Sequence, residues 1–319
     1  MRRTTRAARG AALLLALGLL LPAAGAPPAA AERSRPARLA SRTLILDAAD
    51  RDGLAVAVGE RGHVLVSRDA GKSWAQVDVP TRALLTGVHL HDGKLGWAVG
   101  HDETILRTRD GGATWERVRH DPEAESPLLD VWFADEKRGL AVGAYGVVLS
   151  TRDGGESWEE RTLVEGDDLH LNAIAASGAA LWVAGEAGAL YRSDDSGESW
   201  ARVETPYDGS FFGLLPLADG GLLVFGLRGT LLRTDDGGRT FTHVDSGTEA
   251  TLTAGRELGG GRVAVAGMAG ALLLSEDGGR SFRLREQGDR KAALAVLPGN
   301  PSGLVLLGEG GARSVEPAY

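Results

Sequence analysis

SRDAGKSW (residues 67–74), TRDGGATW (108–115), TRDGGESW (151–158), SDDSGESW (193–200), TDDGGRTF (234–241) and SEDGGRSF (275–282) are six copies of one phrase. Its form is Ser/Thr-x-Asp-x-Gly-x-Ser/Thr-Trp/Phe. The aspartates Asp69, Asp110, Asp153, Asp195, Asp236 and Asp277 follow one another at steps of 41, 43, 42, 41 and 41 residues. A step that constant makes the chain one array of like units, the signature of a propeller or a solenoid.

A second phrase precedes each copy: an apolar run ending in Gly, two residues, then usually Gly again. It reads AVGERG (57–62), AVGHDE (98–103), AVGAYG (141–146), VAGEAG (183–188), VFGLRG (224–229), VAGMAG (265–270) and LLGEGG (306–311). There are seven of these, one more than the Asp phrase, and the second has Glu103 in place of its last glycine. Each unit divides into four short runs rich in Val, Leu, Ile, Thr and Trp. In the second unit these are 84–90, 95–100, 104–108 and 115–119. Turn residues separate them, and no stretch after Glu32 keeps a helical period.

Four strands per unit make the blade of a β-propeller. The expected fold is therefore all-β: a seven-bladed propeller with four-stranded blades. The seventh unit offers only three strands, at 293–297, 304–307 and 312–315, and lacks the Asp phrase. The segment around 38–41 is expected to supply the fourth, closing the ring by pairing the two chain ends and removing an exposed sheet edge.

The Asp phrase falls between third and fourth strands, so it is a hairpin connection. An Asp carboxylate accepts hydrogen bonds from backbone N–H groups just downstream. The following Gly supplies a positive φ. The closing aromatic (Trp74, Trp115, Trp158, Trp200, Phe241 or Phe282) covers the turn. Six aspartates spread round a ring cannot converge on one substrate, so they read as turn fasteners, with no catalytic role.

Residues 1–31 read as a signal peptide. Arg2, Arg3, Arg6 and Arg9 precede an apolar run, 11–21, too short to span a bilayer, and Ala29-Ala30-Ala31 fits a cleavage site. Domain 32–319 is then the propeller, and the expected location is the periplasm. Loss of four arginines moves the net charge from −8 to −12, which argues against nucleic acid as a partner. The chain has no cysteine, which excludes disulfides and thiolate metal sites. A core of this size needs no disulfides.

The Asp phrase is the Asp-box, or BNR repeat, of sialidases and other propellers. Together with the seven Gly turns it makes the chain resemble the photosystem II stability/assembly factor-like family over residues 42–315, as a bacterial member of the non-photosynthetic type. The resemblance implies a non-enzymatic exported protein that helps assemble or stabilise a membrane protein complex. For relatives of this type it implies association with a resistance-nodulation-division-type transporter. Photosynthetic members are expected to carry an arginine patch; here arginines are scattered among acids.

The arginine-bearing N-terminal phrase of sialidases is absent, and a single propeller lacks the inter-propeller cleft of xyloglucan-type glycosidases. A carbohydrate-binding or glycoside-hydrolysing propeller is the alternative expectation. His89 and His91 share a strand face by period 2, with His101 in the next Gly turn. Rim histidines explain them more simply than a metal, and no cofactor is expected. Trp97, Trp132 and Trp182 read as core.

In a four-stranded blade the Gly turns share one end of the ring with the blade-to-blade connections. Varied loops on a rigid scaffold carry binding, and aromatics and arginines dominate interface energetics. The expected partner-binding residues are Arg82, Tyr145, Tyr207 and Arg228. The partner is expected to be a membrane protein complex or transporter subunit, bound by a monomer.

Overall fold

The computed structural model describes residues 32–299 and 302–316. The expected signal peptide, residues 1–31, lies outside the described residues. The described residues form one compact unit, a seven-bladed all-β propeller in which each blade is an antiparallel meander. Blade 2 has strands Leu85–Leu90, Gly96–Gly100, Ile105–Thr108 and Glu116–Arg119, each within one residue of the sequence expectation. Inner strands adjoin in order round the axis, from Ile45–Arg51 of blade 1 to Ala293–Pro298 of blade 7, which meets blade 1 again.

Second strands read as continuous apolar runs because both faces are covered. Leu54–Gly59 is buried at every residue. The core is correspondingly divided, with one hydrophobic cluster at each junction between blades. At the junction of blades 7 and 1, Ile45, Ala57 and Leu65 pack with Leu297, Val305 and Leu307. Between blades 2 and 3, Trp97 stacks on Phe133 with centroids 3.4 Å apart. Trp97 and Trp182 are core as expected, whereas Trp132 is half-buried.

Among the described residues blades 1 to 6 have four strands and blade 7 has three, Ala293–Pro298, Leu304–Gly308 and Gly311–Val315. The expected fourth strand from residues 38–41 does not form. Instead Ala40–Arg42 make one 3-10 turn. Two physical reasons appear. Upstream, the chain is held on the outer strand of blade 1: Ser34 N–H donates to Val79 O (2.9 Å), Ala37 N–H to Gln76 Oε1 (2.7 Å), and Arg33 pairs with Asp78 (2.7 Å). Pro36, between them, has no N–H for a ladder. The ends do meet, as a connection. Gly311 sits against Ser41 and Arg42, as Gly62 in blade 1 sits against Thr81 and Arg82. The N-terminal lead thus stands in for the missing blade-7-to-1 connection.

Each inner strand carries a bulge at its start that drops one residue from the ladder. The seven displaced residues (Leu46, Thr86, Leu129, Asn172, Phe212, Thr253 and Leu294) face an axial cavity of about 230 Å³. Around it, polar side chains clasp the next blade's unpaired inner edge. Asp47 Oδ2 accepts from Val88 N–H and Asp130 Oδ2 from Ile174 N–H, both at 2.8 Å. Thr86 donates to Leu128 O, Asn172 to Phe211 O and Thr253 to Ala293 O, at 2.6, 2.8 and 2.6 Å.

Burial pushes the Asp47 and Asp130 carboxyls above their ordinary range, and for Asp130 the Asp47 charge adds to this. Their contribution to stability is therefore full below the ordinary carboxylate value and is lost as pH rises through the raised values. A double variant Asp47→Asn/Asp130→Asn should remove this alkaline-side decline in a series of urea midpoints between about pH 4 and 9. A decline of unchanged slope in the variant would assign it to other groups.

Candidate functional site

The two repeated phrases lie at opposite ends of the ring. In the Asp turn of blade 1, Asp69 Oδ1 accepts from Ser73 N–H (2.9 Å) and Asp69 Oδ2 from the Ser73 hydroxyl (2.6 Å). Ser67 Oγ donates to Asp69 (2.8 Å) and accepts from Gly71 N–H (3.0 Å), and Trp74 Nε1 donates to Gly71 O (3.1 Å). The carboxylate and hydroxyl contacts recur about Asp110, Asp153, Asp195, Asp236 and Asp277. Asp69, Asp153, Asp195 and Asp236 are held at about 2, first by the hydroxyl four residues on. These carboxylates are committed to their own turns. Their contribution is full above the ordinary carboxylate value and is lost as pH falls through about 2.

At the other end the Gly turns form a rim with the connections. After its first glycine, each turn carries an apex residue in the left-handed region: Arg61, Asp102, Tyr145, Ala187, Arg228 and Ala269, with φ between 50° and 58°, and Gly310 in blade 7. That conformation costs an L-residue about 1 kcal/mol, and it points six side chains of four kinds (Arg, Asp, Tyr and Ala) outward from one repeated scaffold. The closing glycine cannot be replaced freely. A Cβ on Gly62 would lie 2.4 Å from Thr81 O. In blade 2, Glu103 takes this place at φ 40° and is buried against Arg119, whose Nε donates to its carboxylate at 2.8 Å.

Tyr145 is 63% exposed, its ring edge-on to His170 at 4.8 Å. Arg228 is exposed and makes no hydrogen bond or ion pair with the described residues. Arg82 and Tyr207 are tied down. Arg82 donates to Arg33 O (2.8 Å) and pairs with Glu32 (3.3 Å). The Tyr207 hydroxyl donates to Leu227 O (2.9 Å), and its half-buried ring packs near Phe211. Tyr145 and Arg228 stand on the turns of blades 3 and 5, so the four residues share a rim without forming one cluster.

The exposed large hydrophobic residues among those described are Leu39, Tyr145, Leu227 and Met268. All four lie on this rim: three in Gly turns and Leu39 in the lead that replaces the seventh connection. The readable signal for Leu227 and Met268 was an apolar residue directly after the first turn glycine. His89 and His91 lie toward the Asp-turn end, whereas His101 sits in a Gly turn, so the three do not assemble. Tyr191 is buried, its hydroxyl donating to Asp167 (2.8 Å); burial, then this bond, raises it. Among the described residues no group of three or more His, Cys, Asp or Glu could hold a metal.

A model of the family described as photosynthesis system II assembly factor YCF48 matches residues 66–126 and 119–208. The photosystem II assembly protein Ycf48 of Synechococcus sp. strain JA-2-3B'a(2-13) is 39% identical over 140 residues, 42% of this chain and 41% of that protein. The chloroplastic photosystem II stability/assembly factor HCF136 of Cyanidioschyzon merolae is 37% identical over 95 residues, 28% of this chain and 22% of that one. The chain thus spans less than half the length of these two relatives. Both are named for assembly or stability and neither for a reaction. A solved structure of YCF48 bound to D1 peptide superposes with a TM-score of 0.72 at 19% identity, covering 90% of this chain and 97% of that one, which shows the shared fold.

Proposed function

We propose, for a chain that belongs to the photosystem II assembly factor-like family, that it is a non-enzymatic propeller that binds protein and assists the assembly or stability of a membrane complex through its Gly-turn rim. The observation that carries this reading is the confinement of the exposed large hydrophobic residues to that rim, where strained apex residues also point outward. Backbone strain held at exposed positions is a pointer to function. The relatives support protein binding, since one is a Ycf48 seen with a D1 peptide. Nothing in them points to a resistance-nodulation-division-type transporter, so that finer assignment is an outcome of the experiment.

The same proposal includes export, with cleavage after Ala31. No helix among the described residues is long and apolar enough to cross a membrane. The test is crosslinking in cells followed by purification of the chain with its neighbours. Enrichment of one membrane complex is the expected result, and recovery of the chain alone from the periplasmic fraction contradicts it. The mass of the recovered chain reads the cleavage site directly.

A further inference from the structure

The lead that closes the ring reads RSRPARLASR (33–42), with four arginines and no acid. Arg33 is spent on Asp78. Arg38 and Arg42 are exposed and make no side-chain hydrogen bond or ion pair with the described residues. Leu39 follows Arg38 and is 59% exposed.

The packing of the rim joins this lead to further cations. A Cβ on Gly311 of the blade 7 turn would lie 2.5 Å from Arg42 Cα, and one on Gly310 would lie 2.5 Å from Lys291 Nζ. A Cβ on Gly270 of the blade 6 turn would lie 2.9 Å from Arg290 Cα. On the other side of the lead, Thr43 Oγ1 is 3.0 Å from Nδ1 of His63, two residues past the blade 1 apex Arg61. Arg61 and Arg290 are exposed, and they and Lys291 make no side-chain hydrogen bond or ion pair with the described residues. The cations thus follow one another round an arc from blade 6 through blade 7 to blade 1. Met268, 44% exposed, stands in the blade 6 turn at the Arg290 end of the arc.

Acids are fewer here. Glu60 is half-buried, Asp289 pairs with Arg313, Glu309 Oε2 accepts from Ala292 N–H (3.4 Å), and Glu286 stands on the outer strand of blade 6. The rest of the rim is the reverse. The connections from blade 2 to blade 6 expose Glu123, Glu125, Glu165, Asp168, Asp208 and Glu249, none of them in an ion pair with the described residues. Arginines that are scattered in sequence are gathered by the ring onto one side.

We propose that the arc from blade 6 to blade 1 rests on a bilayer surface bearing anionic lipid headgroups. The five cations lie over the phosphates, and Leu39 and Met268 dip between headgroups. The arrangement favours a bilayer over a single bound anion, because the cations are spread along a curve at one end of the ring and do not converge on a point. Apolar side chains set among cations add insertion to attraction, which is how interfacial segments hold a membrane. Repulsion of the acidic arc from the same surface tilts the ring, so that Tyr145 and Arg228 stay clear for protein. The proposal rests on the reading that the Gly-turn rim is the binding end, and it assigns one arc of that rim to lipid.

The test is flotation of the chain from Glu32, which holds the whole propeller, with phosphatidylcholine vesicles and with vesicles that also contain phosphatidylglycerol. No other protein is present. Partition onto the anionic vesicles should exceed that onto the neutral ones by about a hundredfold or more and fall steeply with salt. Arg38→Gln/Arg42→Gln/Arg61→Gln should lower it about a hundredfold, at about fivefold per charge, with Tm unchanged. Leu39→Ser/Met268→Ser should lower it about tenfold and leave its salt dependence as it was. Lys72→Gln/Lys137→Gln/Arg239→Gln removes the same charge from exposed positions at the Asp-turn end and should leave partition as it was. Equal partition onto the two kinds of vesicle, or equal effects of the two triple variants, would overturn the proposal. Loss of protein capture in the first triple variant with no vesicle partition by the parent would also overturn it, and would assign the arc to an acidic polypeptide. Partition is read without the partner, so its failure leaves capture through Tyr145 and Arg228 standing. A chain that partitions but captures nothing overturns only the function proposed above.

Discussion

Gly311→Ala is expected to destabilise the protein by about 3 kcal/mol. Gly311 has φ +85°, and a Cβ there would lie 1.9 Å from Ser41 O and 2.5 Å from Arg42 Cα. Neither atom can retreat cheaply, because Thr43 Oγ1 donates to Ala40 O (2.7 Å) and the lead is anchored on blade 1 upstream. The substitution therefore strains the point where the two chain ends meet. In a chain lacking residues 32–42 the collision is gone and only the left-handed backbone cost of about 1 kcal/mol remains. Urea midpoints of the four proteins form a double-mutant cycle. An identical cost in both backgrounds would show that the lead does not occupy this place.

Arg107→Ser should cost about 2–3 kcal/mol. It removes a buried guanidinium with three charge-assisted or carbonyl partners and the stem packed between blades 2 and 3. The partners Glu116 and Glu156 are exposed and return to water, so the loss stays below that of a fully buried ion pair. The substitution copies into this junction what Ser150 already provides at the next. Calorimetric Tm reads the effect, and a variant as stable as the parent would remove the arginine from the forces that hold neighbouring blades.

The blade count and the strand positions were legible because a propeller repeats its local chemistry. The 41-residue step, the seven Gly phrases and the four apolar runs are all short-range signals. The division of the ring into two unlike ends followed from the order of strands in a blade. The closure was not legible from the unit count, which left a vacant fourth strand. The readable sign lay in the third strands. Val64-Leu65 and Leu272-Leu273 are aliphatic, but the corresponding pair in blade 7 is Arg313-Ser314. An exposed Ser314 and an Arg313 paired with Asp289 suit an unpaired edge, which charge protects from further pairing.

The candidate site was half legible. Tyr145 and Arg228 fall at turn apexes that the repeat fixes, so their exposure follows from local geometry. Arg82 and Tyr207 lie in connections, and what holds them is distant in sequence: the lead at Glu32–Arg33 and the carbonyl of Leu227. The axial clasps of Asp47, Thr86, Asp130, Asn172 and Thr253 escaped for the same reason. A polar residue at the start of an inner strand announces itself only when the next blade's open edge is beside it.

The central claim is that the Asp turns fasten the fold while the Gly-turn rim binds. The most direct measurement is partner capture in cells by three chains: the parent, Tyr145→Gly/Arg228→Gly, and Asp236→Ala. Both residues of the double variant have positive φ, so glycine relieves backbone strain there and stability should hold or rise slightly. Asp236→Ala removes the hydrogen bonds that fix its turn. The account predicts that the double variant loses capture with Tm unchanged or higher, and that Asp236→Ala lowers Tm and keeps capture. Retained capture by the double variant, or its loss in Asp236→Ala at a temperature where that chain is folded, would contradict it.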